Sequence, residues 1–134
     1  DIKLPKRATA GSAGYDFYAP MAFELKPGET IKIPTGIRAV IDENWVLKIY
    51  SRSSLGFKYR LWLDNLTGII DSDYSNSDNE GHIFIKVTNN SLEDKIVRIN
   101  RGDKFAQGIF VQYGTVIDDD VVEERNGGFG STNK

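Results

Sequence analysis

The sequence predicts an all-β domain, either a sandwich or a jelly roll, from three observations. Its apolar stretches are short and rich in β-branched and aromatic residues, the side chains that suit a pleated, half-buried surface. Clusters of turn-forming residues separate those stretches. No run of ten residues carries the apolar spacing of a helix. A length of 134 residues suits one domain with one core.

Strands are expected over residues 30–34, 37–41, 45–50, 67–70, 82–88, 96–99 and 105–111. Pro27-Gly28 precedes the first, and Asp42-Glu43-Asn44 divides the second from the third. Asn89-Asn90 closes the fifth, and Arg101-Gly102-Asp103 reads as a hairpin turn into the last. Lys32, Lys48 and Lys86 are each flanked by apolar residues, the alternation of a half-buried strand. Residues 75–80 are wholly polar and read as an exposed loop. From Glu123 onward the chain is polar, with Gly127, Gly128 and Gly130 around Phe129, which by composition alone is a frayed terminus.

Charge and composition exclude several functions. Lys plus Arg is 17 against 19 Asp plus Glu, a net charge of −2. That argues against a sequence-blind nucleic-acid binder, which needs a basic face. A few placed donors still suffice for a small phosphate ligand. With no cysteine, neither a disulfide framework nor a zinc-thiolate site is possible. No apolar run approaches spanning length, so no membrane role is expected, and without a charged-then-apolar leader the expected compartment is the cytoplasm. The sequons at Asn65 and Asn89 read as chance occurrences.

Candidate chemistry gathers in three places. Asp71-Ser72-Asp73-Tyr74 follows Gly68-Ile69-Ile70, so its carboxylates stand at a strand end, able to hold a metal or activate water; the alternative is an acidic turn. Ser51-Arg52-Ser53-Ser54 clusters one guanidinium with three hydroxyls, donors suited to phosphate oxygens or to a helix cap or turn. Gln107 is an amide inside an otherwise apolar strand and needs a partner. The single histidine, His82, reads as structural, and the glycine-rich tail lacks the Walker spacing.

The order of the segments carries more than any one of them. Ala13-Gly14-Tyr15-Asp16, Arg52-Ser53-Ser54-Leu55-Gly56, Asn65 through Tyr74, Arg101 through Gln107, and Gly127-Gly128-Phe129-Gly130-Ser131-Thr132 follow one another across nearly the whole chain. The set resembles the five ordered motifs of the trimeric dUTPase family. That resemblance implies a jelly-roll-like β-sandwich subunit of a homotrimer with shared active sites. Residues 1–122 would form the β domain carrying motifs one to four, and residues 123–134 a C-terminal lid carrying motif five. It implies Mg²⁺-dependent hydrolysis of dUTP to dUMP and pyrophosphate. Asp71 would be the general base toward the attacking water. Asn65, with backbone groups near Gly68 and Phe84, would read uracil, and Tyr74 would lie under the deoxyribose. Arg52, Ser53, Ser54 and Gln107 would donate to the phosphates. Asp16 would touch the Mg²⁺ through water. Phe129 would stack on the base, while Arg125, Gly130, Ser131 and Thr132 hold the terminal phosphate.

Three departures from the family pattern stand out. Six residues, rather than a single one, separate Tyr74 from Gly81; Ser54 replaces a glycine; and the tail motif from Arg125 is one residue short. A related fold, the dCTP deaminases, resembles this chain at Arg52-Ser53-Ser54 but places a glutamate where Lys86 stands here, and a lysine cannot take the water's proton unless its pKa is strongly lowered. A non-catalytic regulator, binding a partner through the enlarged 75–80 loop, is the other alternative, although Asp71, Asn65, Gln107 and the tail are intact.

Overall fold

The computed structural model describes residues 1–126. Ten strands run in chain order: β1 (Lys6–Arg7), β2 (Tyr15–Tyr18), β3 (Phe23–Leu25), β4 (Thr30–Pro34), β5 (Trp45–Tyr50), β6 (Leu61–Leu63), β7 (Gly68–Ile70), β8 (Phe84–Asn89), β9 (Val97–Ile99) and β10 (Lys104–Gln112). One short helix, α1 (Ser53–Tyr59), and a 3-10 turn (Tyr74–Asn76) complete the set. The strands form three antiparallel sheets, ordered β1-β2-β10-β5-β7, β4-β8-β6 and β3-β9. All-β architecture is therefore what the sequence led one to expect.

Alternation explains which face of each strand is buried. In β8, Ile85, Val87 and Asn89 point inward while Phe84, Lys86 and Thr88 do not. Phe17, Ile33, Ile49, Leu61, Val87, Val97 and Phe105, drawn from all three sheets, share one core with Ile83 and Ile85. Two glycines let the layers close: a Cβ on Gly68 would meet Ile49 at 3.1 Å, and one on Gly108 would meet Leu47 at 3.0 Å. Asn89 is fully buried, yet its amide donates to the carbonyls of Leu25 and Lys95 and its Oδ1 accepts from the Ser91 N–H, so no polar group is stranded.

Several expectations are corrected. Residues 37–41 form no strand. Gly36 takes a φ of +73° and turns the chain, and Ile37 accepts from the Ile83 N–H through its carbonyl while its own N–H donates to Thr35 Oγ1. The Arg101-Gly102-Asp103 turn exists, with Gly102 at φ +89° and the Asn100 N–H bonded to Asp103. It joins β9 to β10 in different sheets, however, and is not a hairpin. The short strands β1, β2, β3 and β6 were not anticipated, because two to four residues show too little alternation to read.

The 75–80 segment differs most from its reading as an exposed loop. Ser77 is buried, and its hydroxyl lies 2.7 Å from the Tyr74 carbonyl and 2.6 Å from Asn79 Oδ1. Asn79 Nδ2 donates to the Tyr74 hydroxyl, which donates to the His82 carbonyl at 2.7 Å. Arg38 ties the segment down by donating to the carbonyls of Glu80 (2.7 Å) and Ser75 (3.2 Å). Polar residues satisfy one another here, which composition cannot reveal.

Candidate functional site

One row across the five-stranded sheet assembles three of the sequence segments. The register sets Asp16 of β2 opposite Gln107 of β10, and Gln107 opposite Tyr50 at the end of β5. Beyond Tyr50 the chain turns through Ser51 and Arg52 into α1, which starts at Ser53. The 51–54 segment is thus both a helix entry and a donor cluster, with Ser53 and Ser54 exposed in the first turn. Gln107 donates to the Ser51 carbonyl at 3.2 Å, the partner its position demanded. Gly14 packs against the Gln107 amide so closely that any side chain at 14 would displace it.

Asp16 organises this row. It is buried, and its two oxygens engage two cations: Oδ1 lies 3.4 Å from Arg52 Nε and Oδ2 lies 3.3 Å from Lys104 Nζ. One carboxylate thereby pairs with two positive groups. Lys104 went unremarked in the sequence; its signal was a lone cation opening an apolar strand beside the Arg101-Gly102-Asp103 turn.

A second cluster stands at the end of β7. Asp71 follows Ile70 with its side chain half exposed, and Asp73 lies two residues on. Arg125 bridges them, its Nη2 donating to Asp71 Oδ2 at 2.6 Å and its Nε to Asp73 Oδ1 at 2.8 Å, with its guanidinium 6.0 Å from the centre of the Tyr74 ring. Tyr74 is buried beneath. The Asp64 N–H bonds to the Lys86 carbonyl, and the chain continues to the exposed turn residue Asn65, toward the β8 end that begins at Phe84. Gly68 is buried between the layers. Phe129, Gly130, Ser131 and Thr132 lie outside the described residues.

The two clusters do not meet within a chain. β7 pairs antiparallel with β5, Gly68 opposite Ile49 and Ile70 opposite Leu47, so Asp71 stands level with Val46. Arg52 lies at the other end of that strand, an extended run of about 20 Å away. Among the described residues no group of three or more His, Cys, Asp or Glu could by itself cage a metal. Lys86, the position a deaminase would fill with glutamate, is exposed and paired with Asp64 at 3.4 Å.

The fold is thus a β-sandwich with a row of hydrogen-bond donors at one sheet end and a strand-end carboxylate at the other. A dUTPase family model matches residues 1–133. The deoxyuridine 5'-triphosphate nucleotidohydrolase of Lactococcus lactis is 45% identical over 135 residues, covering 98% of this chain and 88% of that protein. The crystal structure of the Streptococcus mutans dUTPase superposes with a TM-score of 0.72 at 38% identity, covering 84% of this chain and 87% of that one. A Staphylococcus bacteriophage 80alpha dUTPase solved with dUPNHPP, described among phage dUTPases that control transfer of virulence genes, gives a TM-score of 0.72 at 27% identity over 97% of this chain and 91% of its own. The chain belongs to the dUTPase family.

Proposed function

We propose that the chain is a dUTP diphosphatase that hydrolyses dUTP to dUMP and pyrophosphate as a homotrimer with shared sites. The observation that carries the shared site is the placing of Asp71 and Arg52 at opposite ends of β5 and β7. Exposed Phe57, Leu66 and Ile69, and the exposed run of Val116, Ile117, Val121 and Val122, supply apolar surface for other copies to cover.

In this reading Asp71 takes a proton from water as the water oxygen bonds to the α-phosphorus. The bond from that phosphorus to the bridging oxygen breaks, and its electron pair leaves with pyrophosphate. Arg52, Ser53, Ser54 and Gln107 of a neighbouring copy donate to the phosphates and stabilise the charge that develops. Asn65 reads the uracil edge with an amide that both donates and accepts, joined by backbone groups at Gly68 and Phe84. Tyr74, fixed by His82 and Asn79, presents its ring face to the deoxyribose. Arg125 starts on Asp71 and Asp73 and exchanges them for the terminal phosphate as residues 123–134 close, with Phe129 on the base and Gly130, Ser131 and Thr132 on the phosphates.

Among the described residues no carboxylate and histidine cluster would cage a metal, so a Mg²⁺ would be carried mainly by the substrate's phosphates. Asp16 is the carboxylate beside the phosphate donors and would hold the ion through water, although both its oxygens are already engaged by Arg52 and Lys104. The ion would neutralise phosphate charge. Among the described residues no helix is long and apolar enough to cross a membrane.

The test is pyrophosphate release from dUTP, with dTTP, UTP and dCTP as comparisons and EDTA as the blank. Release from dCTP with ammonia, or none from dUTP, overturns the reading. The shared site is tested by unfolding and refolding Asp71→Asn and Arg52→Ala together. Random mixing should restore about a quarter of wild-type turnover, since half of each contributing position is intact. No restoration would put both residues in one chain's site.

A further inference from the structure

Beside the donor row lies an open hollow of about 560 Å³ whose walls carry Lys3, Arg52, Ser54, Lys58, Arg98 and Lys104. Its five cations come from five separate places: the first residues of the chain, the turn after β5, α1, β9 and β10. Three carboxylates answer them. Asp16 serves Arg52 and Lys104 together, Glu24 holds Arg98 at 3.2 Å, and Asp103 lines the wall with one oxygen taken by the Asn100 N–H. Among the described residues Lys3 and Lys58 have no carboxylate partner. Their ammonium groups lie over the rings of Tyr18, at 4.1 Å from the centroid, and Tyr59, at 5.2 Å.

Converging like charges repel, and a chain of net charge −2 has carboxylates to spare elsewhere. A concave basic surface of this kind focuses field lines and gathers small anions. An ammonium group lies over one face of each ring, so a base stacking there would have to displace it. The hollow opens at Arg52 and Ser54, which the hydrolysis reading gives to the phosphate chain. We infer that the hollow receives the leaving pyrophosphate, with Lys58 and Lys3 as its far-side donors; this rests on that hydrolysis reading. Pyrophosphate moves from the donors that held it as part of the triphosphate to cations that the intact substrate does not reach, leaving Arg52 and Ser53 clear for the next nucleotide.

The full chain carrying Lys3→Ala with Lys58→Ala is compared with wild type and with Lys26→Ala/Lys86→Ala, which removes the same charge outside the hollow. Calorimetry measures binding of pyrophosphate and of inorganic phosphate, and kinetics measures inhibition of dUTP turnover by pyrophosphate. The expected result is pyrophosphate affinity weakened about tenfold or more in the hollow variant. KM for dUTP should stay near wild type, and the control variant should be unchanged. Equal affinities in all three proteins, phosphate bound as tightly as pyrophosphate, or a parallel rise in KM for dUTP would each overturn the assignment. If the chain fails to turn over dUTP at all, the calorimetric arm still reads the hollow, so the two failures are distinguishable.

Discussion

Asp71 and Tyr74 are three residues apart but are held in opposite ways. Asp71 projects half into solvent with Arg125 on one oxygen, while Tyr74 is buried and bonded at its hydroxyl. Replacing Asp71 with Asn keeps the shape and removes the proton acceptor. Turnover should fall roughly 10²–10⁴-fold while dUTP still binds, a combination that stopped-flow binding beside steady-state rates would report. Activity within a few-fold of wild type removes Asp71 from the base role. At Tyr74 the two functions of the side chain separate. Tyr74→Phe retains the ring to which we assign exclusion of a 2′-hydroxyl but loses the bonds to His82 and Asn79. Discrimination against UTP should therefore survive, while denaturant unfolding shows a loss of about 1 kcal/mol for the missing hydrogen bonds. A Phe variant that accepts UTP would assign discrimination to the hydroxyl.

At the scale of elements, the tail is where chain and family pattern part. Arg125 touches Asp71 and Asp73 rather than the donor row. Arg125→Ala should lower turnover nearly as far as removing residues 126–134, provided the guanidinium transfers to the terminal phosphate. If the missing residue keeps it out of reach, that variant will be mild and the truncation alone severe. Truncation should leave thermal stability nearly intact, because a polar, glycine-rich end has little apolar surface to bury. Its turnover should drop 10²-fold or more through lost positioning; melting curves and pyrophosphate release measure the two halves. The strands that build the donor row were unevenly legible. β5 and β10 announced themselves through apolar length, and Gln107 through its misfit polarity. β2 did not, since Tyr15–Tyr18 is four residues with Asp16 turned inward, a buried charge that only Arg52 and Lys104 explain. The 75–80 segment looked solvated because its order comes from side chains bonding one another and from Arg38, far away in sequence. Which residues to propose for the site was readable from motif order; which ends of the sheet they occupy was not, because pairing register is a three-dimensional fact.

For the whole molecule, the register of β5 with β7 is what the proposed trimer rests on, since it sets Asp71 and Arg52 at opposite ends of the pair. Light scattering across micromolar concentrations should give three times the 15.0 kDa chain mass; a mass near that of one chain would refute the trimer. The same register has a consequence for inheritance. In the proposed shared site a lesion at Asp71 and a lesion at Arg52 strike different halves, so two alleles carrying one each would rescue one another when expressed together. A single allele carrying both lesions would do the reverse. Each such copy entering a trimer would silence one site through its carboxylate and another through its donor row, so a minority of doubly damaged chains would depress the output of a healthy majority.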